Sequence, residues 1–153
     1  MPDLLAGSTV RALDTPPAAS DTQLDSFSFT NTTYGVSSTS GTYVDCGTAF
    51  MAPTTGRVLV ILSGEIVNVS GATTRMAPVV REGPVIGSGV VIVPANDVNS
   101  ITNQGNNASI LAAQVALIEN LSPGETYNVR LEHRVSGGTG TLRNRRVVVI
   151  PSP

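Results

Sequence analysis

The sequence predicts an all-β protein: an antiparallel β-sandwich, jelly-roll-like, with an extended N-terminal arm. Short apolar runs separated by Gly- and Pro-containing turns recur about every ten to fifteen residues along most of the chain. The 153 residues are 41% hydrophobic but only 4% aromatic and 13% charged, and such a Val-, Ile-, Ser- and Thr-rich mixture favours strands. Nowhere does the sequence combine a 3.6-residue apolar period with helix-capping residues.

The first segment, residues 1–26, is predicted to be an extended docking arm, and residues 27–153 are predicted to form the sandwich. Leu4, Leu5, Val10 and Leu13 are the only strongly apolar residues before Leu24, and they would be exposed to water unless they dock on a partner. The alternative is a frayed terminus, which is common at chain ends.

Seven strands are predicted, at 43–50, 57–69, 74–82, 85–93, 109–118, 126–135 and 145–150. Propensity alone would favour a helix over Ala108–Leu117, but Gln114 is the only polar residue across its middle and no caps bound it, so a strand is predicted there. In 126–135 the residues alternate, which predicts a core face and a water-facing side. The core face holds Tyr127, Val129, Leu131 and Val135, and the water-facing side holds Asn128, Arg130, Glu132 and Arg134.

Three predicted strand segments are apolar on both faces: Val58–Leu62, Val90–Val93 and Val147–Ile150. An isolated two-layer sandwich would leave one side of each segment exposed to water. Either loops cover these residues or neighbouring subunits do, and the sequence favours a homo-oligomer.

Residues Leu121 to Tyr127 match the L-x-P-G-x-x-Y corner of β-sandwich domains, in which the tyrosine hydroxyl bonds to the preceding loop. Residues Gly137, Gly138 and Gly140 are predicted to form a hairpin turn before the last strand. That hairpin would place Arg143, Arg145 and Arg146 beside Arg130 and Arg134, either as a solvated strand face or as an ionic contact with a neighbouring subunit.

Catalytic, cofactor and metal sites are not predicted. The chain has one histidine, His133, and one cysteine, Cys46, which cannot by themselves form a zinc site. His133 has the inward phase of its strand, where a half-buried structural histidine is expected, and Cys46 has the phase of a core thiol. A Cys46/His133 nucleophile–base dyad remains the enzymatic alternative.

Charge and hydropathy exclude two classes of partner. The net charge of −2 and pI of about 5.2 provide no field that would attract nucleic-acid phosphates or an acidic membrane surface. The sequence has no run of 18 apolar residues, and its opening lacks the basic and apolar regions of a signal peptide. We therefore expect neither a nucleic acid nor a membrane as partner, and no export.

Three segments resemble the small virion structural proteins of tailed phages that infect actinobacteria, often labelled minor tail or fibre-like proteins. They are Asp3–Asp14 with Pro16 and Pro17, Phe50–Val58, and Leu121–Pro153. The resemblance covers most of the chain and its motifs are structural. Thr15 departs from the pattern, in which an aromatic residue is expected, and this departure concerns how the arm docks.

The resemblance implies a non-enzymatic β-sandwich displayed on the virion surface, made in the host bacterial cytoplasm and commonly trimeric. The arm would attach it to capsid or tail proteins, with Leu4, Leu5, Val10 and Leu13 buried against the partner and Arg11 and Asp14 fixing the register. A loop rich in amides would contact host cell-surface glycans, which makes a tail adhesin the alternative to a capsid decoration protein. The loop residues are Asn96, Asn99, Asn103, Gln104 and Asn106.

Overall fold

The computed structural model describes residues 15–105 and 107–152, and this part of the chain folds into ten strands. The strands are β1 (Ala19–Phe29), β2 (Ser40–Gly41), β3 (Gly47–Met51), β4 (Val58–Asn68), β5 (Thr73–Glu82), β6 (Val91–Val93), β7 (Ile101–Gln104), β8 (Ile110–Ile118), β9 (Thr126–Val135) and β10 (Gly140–Pro151). No helix is present among the described residues, so the predicted all-β class is confirmed.

Two antiparallel sheets pack face to face. Sheet A has the order β2-β1-β10-β4-β8, and sheet B has the order β3-β9-β5-β6, with β7 also paired to β5. The first long strand, β1, pairs with the last, β10, and successive strands repeatedly change sheets. This interleaving of early and late strands is jelly-roll-like.

The core lies between the sheets and is built from the inward positions of the long strands. Val58, Val60 and Leu62 of β4 alternate with less buried neighbours, as expected for a strand with one core-facing side. Phe27 and Phe29 provide the large aromatic surface at one end of the core.

The predicted boundary at residue 26 is wrong, because it falls inside β1. Residues Ala19 to Phe29 pair with β10 and belong to the sandwich. The strand was not predicted because its apolar residues are concentrated at its end, while its inward positions Asp21 and Asp25 are polar. These carboxylates find partners inside the fold: Asp21 accepts a hydrogen bond from the Gly47 amide at 2.9 Å.

The other strand predictions agree with the structure to different degrees. Those for β4, β5, β8 and β9 are close to the observed bounds. The strand predicted at 145–150 begins five residues earlier, at Gly140, and of the strand predicted at 43–50 only residues 47–50 belong to β3. The predicted strand 85–93 is wrong for most of its length, because residues 83–89 form turns and only Val91–Val93 pair with β5. Pro78, which has no N–H to donate, lies between the parts of β5 that pair with β7 and with β6.

The tyrosine corner is present. The hydroxyl of Tyr127 accepts a hydrogen bond from the Ser122 amide at 3.0 Å. The predicted hairpin at Gly137–Gly140 is wrong, because β9 lies in sheet B and β10 in sheet A. The glycines instead permit a tight crossing between sheets: a Cβ on Gly140 would lie only 2.7 Å from Val135 Cγ1 and 2.9 Å from the Phe29 ring.

Candidate interaction surface

The outward face of β8, at the end of sheet A, is entirely aliphatic. Leu111, Val115 and Leu117 are 78%, 53% and 49% exposed, and Ala113 between them is exposed as well. Of their inward neighbours, Ala116 and Ile118 are buried in the core and the others are half-buried. Apart from the inward Gln114, the strand is therefore apolar on both sides although only one side faces the core.

The apolar surface continues across the neighbouring strands. Register places Leu117 beside Leu59 and Leu59 beside Ile150, and in the next row Val115 lies beside Ile61 and Ile61 beside Val148. We call these six residues the aliphatic face: Leu59, Ile61, Val115, Leu117, Val148 and Ile150. Those on β8 and Ile150 are exposed, and the other three are half-buried. A contiguous apolar surface on three adjacent strands is typical of a protein–protein contact.

Charged groups limit the aliphatic face at one end. Glu65 of β4 forms an ion pair with Arg143 of β10 and accepts a hydrogen bond from Ser109. These hydrogen bonds, that from Arg143 foremost, lower the pKa of Glu65 to about 2. The carboxylate is thus ionised and paired at neutral pH, and it marks the polar border of the surface.

The outer face of sheet B has the opposite character. Glu132 of β9 lies 3.3 Å from the Arg81 guanidinium and 2.9 Å from that of Arg130, which also lies 3.5 Å from Asp45. Asn128 is fully buried, and its side chain bonds to backbone groups of residues 83–88. The expectation that this side of β9 faces water is therefore wrong for Asn128, which the 83–88 turn covers, and for Glu132, which lies between two arginine side chains.

A second ionic cluster continues this face. The Asp97 carboxylate lies 2.5 Å from Arg134 and 3.4 Å from Arg75, and it accepts a hydrogen bond from the Tyr34 hydroxyl at 2.9 Å. Arg134 contributes most to the lowered pKa of Asp97. The charges on the outer face of sheet B are thus paired within the chain, whereas the described residues leave the aliphatic face of sheet A partly exposed.

The predicted attachment residues cannot be placed. Leu4, Leu5, Val10, Arg11, Leu13 and Asp14 all lie outside the described residues, as does Asn106 of the amide-rich loop.

The described part of the amide-rich loop is only partly a surface feature. Asn103 is 2% exposed and donates to the carbonyls of Ile66 and Ala108 at 2.8 Å, so its prediction as a surface contact is wrong. Asn96 accepts a hydrogen bond from the Asn99 amide, which closes a local turn. Gln104 is exposed. Asn103 was mispredicted because residues 101–104 form β7, which the sequence pattern did not indicate.

Cys46 and His133 are both buried in the core. The His133 ring packs against Phe29 with centroids 4.1 Å apart, and its Nε2–H donates to the Ser37 carbonyl at 2.8 Å. Burial lowers the pKa of His133 to about 4 and raises that of Cys46 to about 12. Both groups are therefore neutral at pH 7, which opposes formation of a thiolate–imidazolium pair.

The predicted cluster of five arginines does not form. Arg130 and Arg134 lie on sheet B, while β10 lies in sheet A, where Arg143 and Arg146 point outward and Arg145 points inward and is fully buried. A bulge in β10 between Arg143 and Arg146 interrupts the alternation of the strand, so Arg145 lies on the opposite side from both of them.

A polar cleft of about 420 Å³ lies at one end of the sandwich, lined in part by Glu82, Ser122, Glu125 and Thr126. Within the described ranges, no three His, Cys, Asp or Glu side chains are grouped so that they could hold a metal ion. Across the same ranges, no helix is long and apolar enough to cross a membrane.

No family model matches the chain, and no curated protein does. An Eiger TNF structure from S. frugiperda matches at 8% identity and a TM-score of 0.48, covering 90% of this chain and 94% of that one. A CBM6 carbohydrate-binding module of Cellvibrio mixtus lichenase 5A, in complex with cellotriose, matches at 15% identity and a TM-score of 0.36, covering 94% and 96%. The CBM22-1 xylan-binding domain of Paenibacillus barcinonensis Xyn10C matches at 13% identity and a TM-score of 0.36, covering 86% and 96%. These are likenesses of fold.

Proposed function

We propose that this chain is a non-enzymatic structural protein of a phage virion, which assembles as a homo-oligomer, with a trimer favoured, through the aliphatic face of sheet A. The carrying observation is the contrast between the two outer faces. The outer face of sheet B pairs its charges internally, while that of sheet A carries contiguous, partly exposed aliphatic side chains on β8, β4 and β10.

The outer side of sheet A as a whole, of which the aliphatic face is one part, is large enough for an assembly role. Its four long strands, spaced about 4.8 Å apart and up to about 37 Å long, cover roughly 700 Å². Specific interfaces bury about 800 Å² per partner. Apart from the paired Glu65 and Arg143, Arg146 is the one charged residue among the outward positions of β4, β8 and β10. Removing this face from water therefore requires little desolvation of charge.

The virion location rests on the resemblance of the three sequence segments described above, and it places the protein on the particle surface. Residues 1–14 would attach it to capsid or tail proteins. Peptide mass spectrometry of purified particles of the encoding phage tests this location. Its absence from the particles would contradict the virion assignment while leaving self-association untouched.

Self-association is tested by light scattering on wild type, Val115→Glu and Val98→Glu. Both substitutions put a carboxylate at an exposed valine, but Val98 is 84% exposed in the loop between β6 and β7, away from sheet A. Wild type and Val98→Glu should have the mass of an oligomer and Val115→Glu that of a monomer. A monomeric wild type, or equal masses for all three proteins, would contradict the proposal.

The second candidate is a glycan-binding module of the phage tail, and the polar cleft is the observation that favours it. The side chains of Glu82 and Glu125 border the cleft and, within the described part of the chain, form no ion pair. Carboxylates accept hydrogen bonds from sugar hydroxyls, but Tyr127, the cleft's aromatic residue, is only 5% exposed and offers no stacking platform.

Calorimetric titration with host cell-wall fragments tests this second function. Binding by wild type that is lost in Glu82→Gln/Glu125→Gln would support glycan binding at the cleft, independently of assembly.

A further inference from the structure

The free edge of β8 is unprotected. Within the described residues β8 pairs with β4 alone, and no register shift interrupts that pairing. Its nine residues, Ile110–Ile118, include neither a charged residue nor a proline. Proteins usually protect a long strand edge with charges, proline, a bulge or a cover, because its free N–H and C=O groups invite pairing with another strand.

The other sheet edges are protected. At the opposite side of sheet A, the two-residue β2 pairs with β1, which also carries a bulge between Gln23 and Ser26. The edge strands of sheet B are short, with five residues in β3, three in β6 and four in β7. The β8 edge therefore differs from every other edge in the described part of the fold.

The sequence of β8 is nearly palindromic. In one-letter code it reads ILAAQVALI, so the residues before Gln114 recur in reverse order after it. When two such strands pair antiparallel about a two-fold axis at Gln114, isoleucine faces isoleucine, leucine faces leucine and alanine faces alanine. Only Ala113 and Val115 form an unlike pair, and both are apolar. Because directly opposed apolar side chains stabilise a sheet, a second copy of β8 is complementary to this edge position by position.

The backbone of β8 has the phase that this pairing requires. The Ser152 N–H donates to the Arg57 carbonyl at 3.0 Å, so odd-numbered residues of β4 direct their backbone groups to β10 and even-numbered ones to β8. Register pairs even-numbered residues of β4 with even-numbered residues of β8. The odd-numbered residues of β8 therefore have their N–H and C=O groups on the free edge: Leu111, Ala113, Val115 and Leu117.

We propose that the β8 edges of two copies of this chain pair antiparallel about a two-fold axis at Gln114, which joins their A sheets into one continuous sheet. In this register odd-numbered residues face odd-numbered ones, so each exchanges two hydrogen bonds with its counterpart. The contact goes beyond the proposed function, because it lies at the strand edge and is separate from packing of the aliphatic faces. Since it joins copies in pairs, trimers built through the aliphatic face would be linked two by two.

The polar groups near the axis are compatible with this contact. Gln114, the one polar side chain of β8, has no hydrogen-bond partner among the described residues. At the axis its amide meets the same amide of the second copy, and each can donate and accept. Glu119, the first charged residue after the strand, would face Ser109 rather than another carboxylate. In this register, β8 and the residues next to it bring no like charges together.

Cysteine cross-linking of the full chain tests both the pairing and its register. Gln114→Cys places a thiol at the axis, where the two Cα atoms of a non-hydrogen-bonded pair lie about 4.5 Å apart and a disulfide can form. Ala112→Cys is the matched control, because position 112 is also inward and half-buried but would lie about 14 Å from its copy along the strand. The native Cys46 is fully buried.

Under mild oxidation, Gln114→Cys should form a disulfide-linked dimer about tenfold faster than Ala112→Cys, as measured by intact mass spectrometry. A second substitution tests the backbone pairing. Ala113→Pro removes an N–H that faces the free edge and that β4 does not use, so it should slow cross-linking of Gln114→Cys to the control rate. Ala113→Thr keeps this N–H and should leave the rate unchanged.

Val115→Glu does not separate the edge contact from the aliphatic-face contact. In the proposed register it would place two carboxylates diagonally across the joint, about 7–8 Å apart, so it opposes both contacts. The cysteine and proline variants leave the six residues of the aliphatic face unaltered, and they test the edge alone.

Equal cross-linking of Gln114→Cys and Ala112→Cys would overturn the pairing, because it would reflect random encounters. Cross-linking of Gln114→Cys that Ala113→Pro leaves unchanged would also overturn it. If neither cysteine variant cross-links while light scattering shows an oligomer, the edge contact is wrong and the aliphatic-face assembly stands. A wild type that is monomeric at every concentration would overturn the proposed function and this inference together.

Discussion

Arg145 and Asp25 form an ion pair at the edge of the core, with Arg145 Nη2 2.7 Å from both carboxylate oxygens of Asp25. The Arg145 side chain is fully buried, also donates to the Val44 carbonyl at 2.6 Å, and lies over the rings of Phe27 and Tyr43. Bulges in β1 and β10 bring the two residues together. At this level β1 has one residue more than its neighbour β10, and β10 has one more than its neighbour β4.

Replacing Arg145 with Met should destabilise the protein by about 3–5 kcal/mol, because it leaves the Asp25 carboxylate buried without its cation. Arg146→Met is the matched control, since its neighbouring side chain is exposed on the outer face. The control should change stability by no more than about 0.5 kcal/mol. Urea denaturation of the three proteins gives the comparison. Equal stabilities for the two variants would refute the structural role of the Arg145–Asp25 pair.

Stability should fall as the pH drops from about 6.5 to about 4. The folded protein holds the pKa of His133 at about 4, whereas an unfolded histidine titrates near 6.5, so the unfolded state binds more protons in this interval. The free energy of unfolding has its full value above about pH 6.5 and decreases progressively as the pH falls toward 4, by about 3 kcal/mol in total. The measurement is the free energy of unfolding at closely spaced pH values.

His133→Gln, which cannot titrate, controls for the carboxylates that also take up protons in acid. The variant should be less stable than wild type at pH 7, and the difference should shrink toward pH 4. If wild type and variant depend on pH in the same way, His133 is not the group responsible.

Removal of residues 1–14 and removal of residues 1–26 should have different consequences. The first cut ends before the described sandwich, and the thermal midpoint should change little. The second deletes most of β1, including Asp25, and so exposes the edge of β10 and leaves Arg145 unpaired. Calorimetry should show cooperative unfolding for the first protein and a large loss of stability for the second. Comparable midpoints would contradict the assignment of residues 19–26 to the sandwich.

The parts of the fold that were predicted correctly are those that depend on patterns of a few consecutive residues. In β9 apolar residues alternate with polar ones, so the strand and its core face were identified closely, whereas β4 was identified as a strand from its continuous apolar run. The tyrosine corner was also predicted, because its geometry depends on a local motif with Pro123, Gly124 and Tyr127. These features are encoded within a few consecutive residues.

The remaining features depend on contacts distant in sequence. The inward Asp25 made β1 look like an irregular segment, and only its pairing with Arg145, 120 positions away, explains it. The bulge at Asn144, with φ of 53°, interrupts the alternation of β10 and directs Arg145 inward, which the sequence pattern did not indicate. Of the predicted two-sided apolar segments, Val58–Leu62 and Val147–Ile150 contribute to the aliphatic face, whereas Val90–Val93 lies in sheet B. The contribution of β8 was not predicted, and it became apparent only from the register of β8, β4 and β10.

The central claim is that association buries the aliphatic face, and the most direct test is the thiol reactivity of Val115→Cys compared with Val98→Cys over a range of protein concentrations. The native Cys46 contributes little background, because it is fully buried and its pKa is raised to about 12. As the protein associates, the thiol at position 115 should react about tenfold more slowly, while that at position 98 keeps its rate. Unchanged reactivity at position 115 in a proven oligomer would contradict the account, because the copies would then meet through another surface.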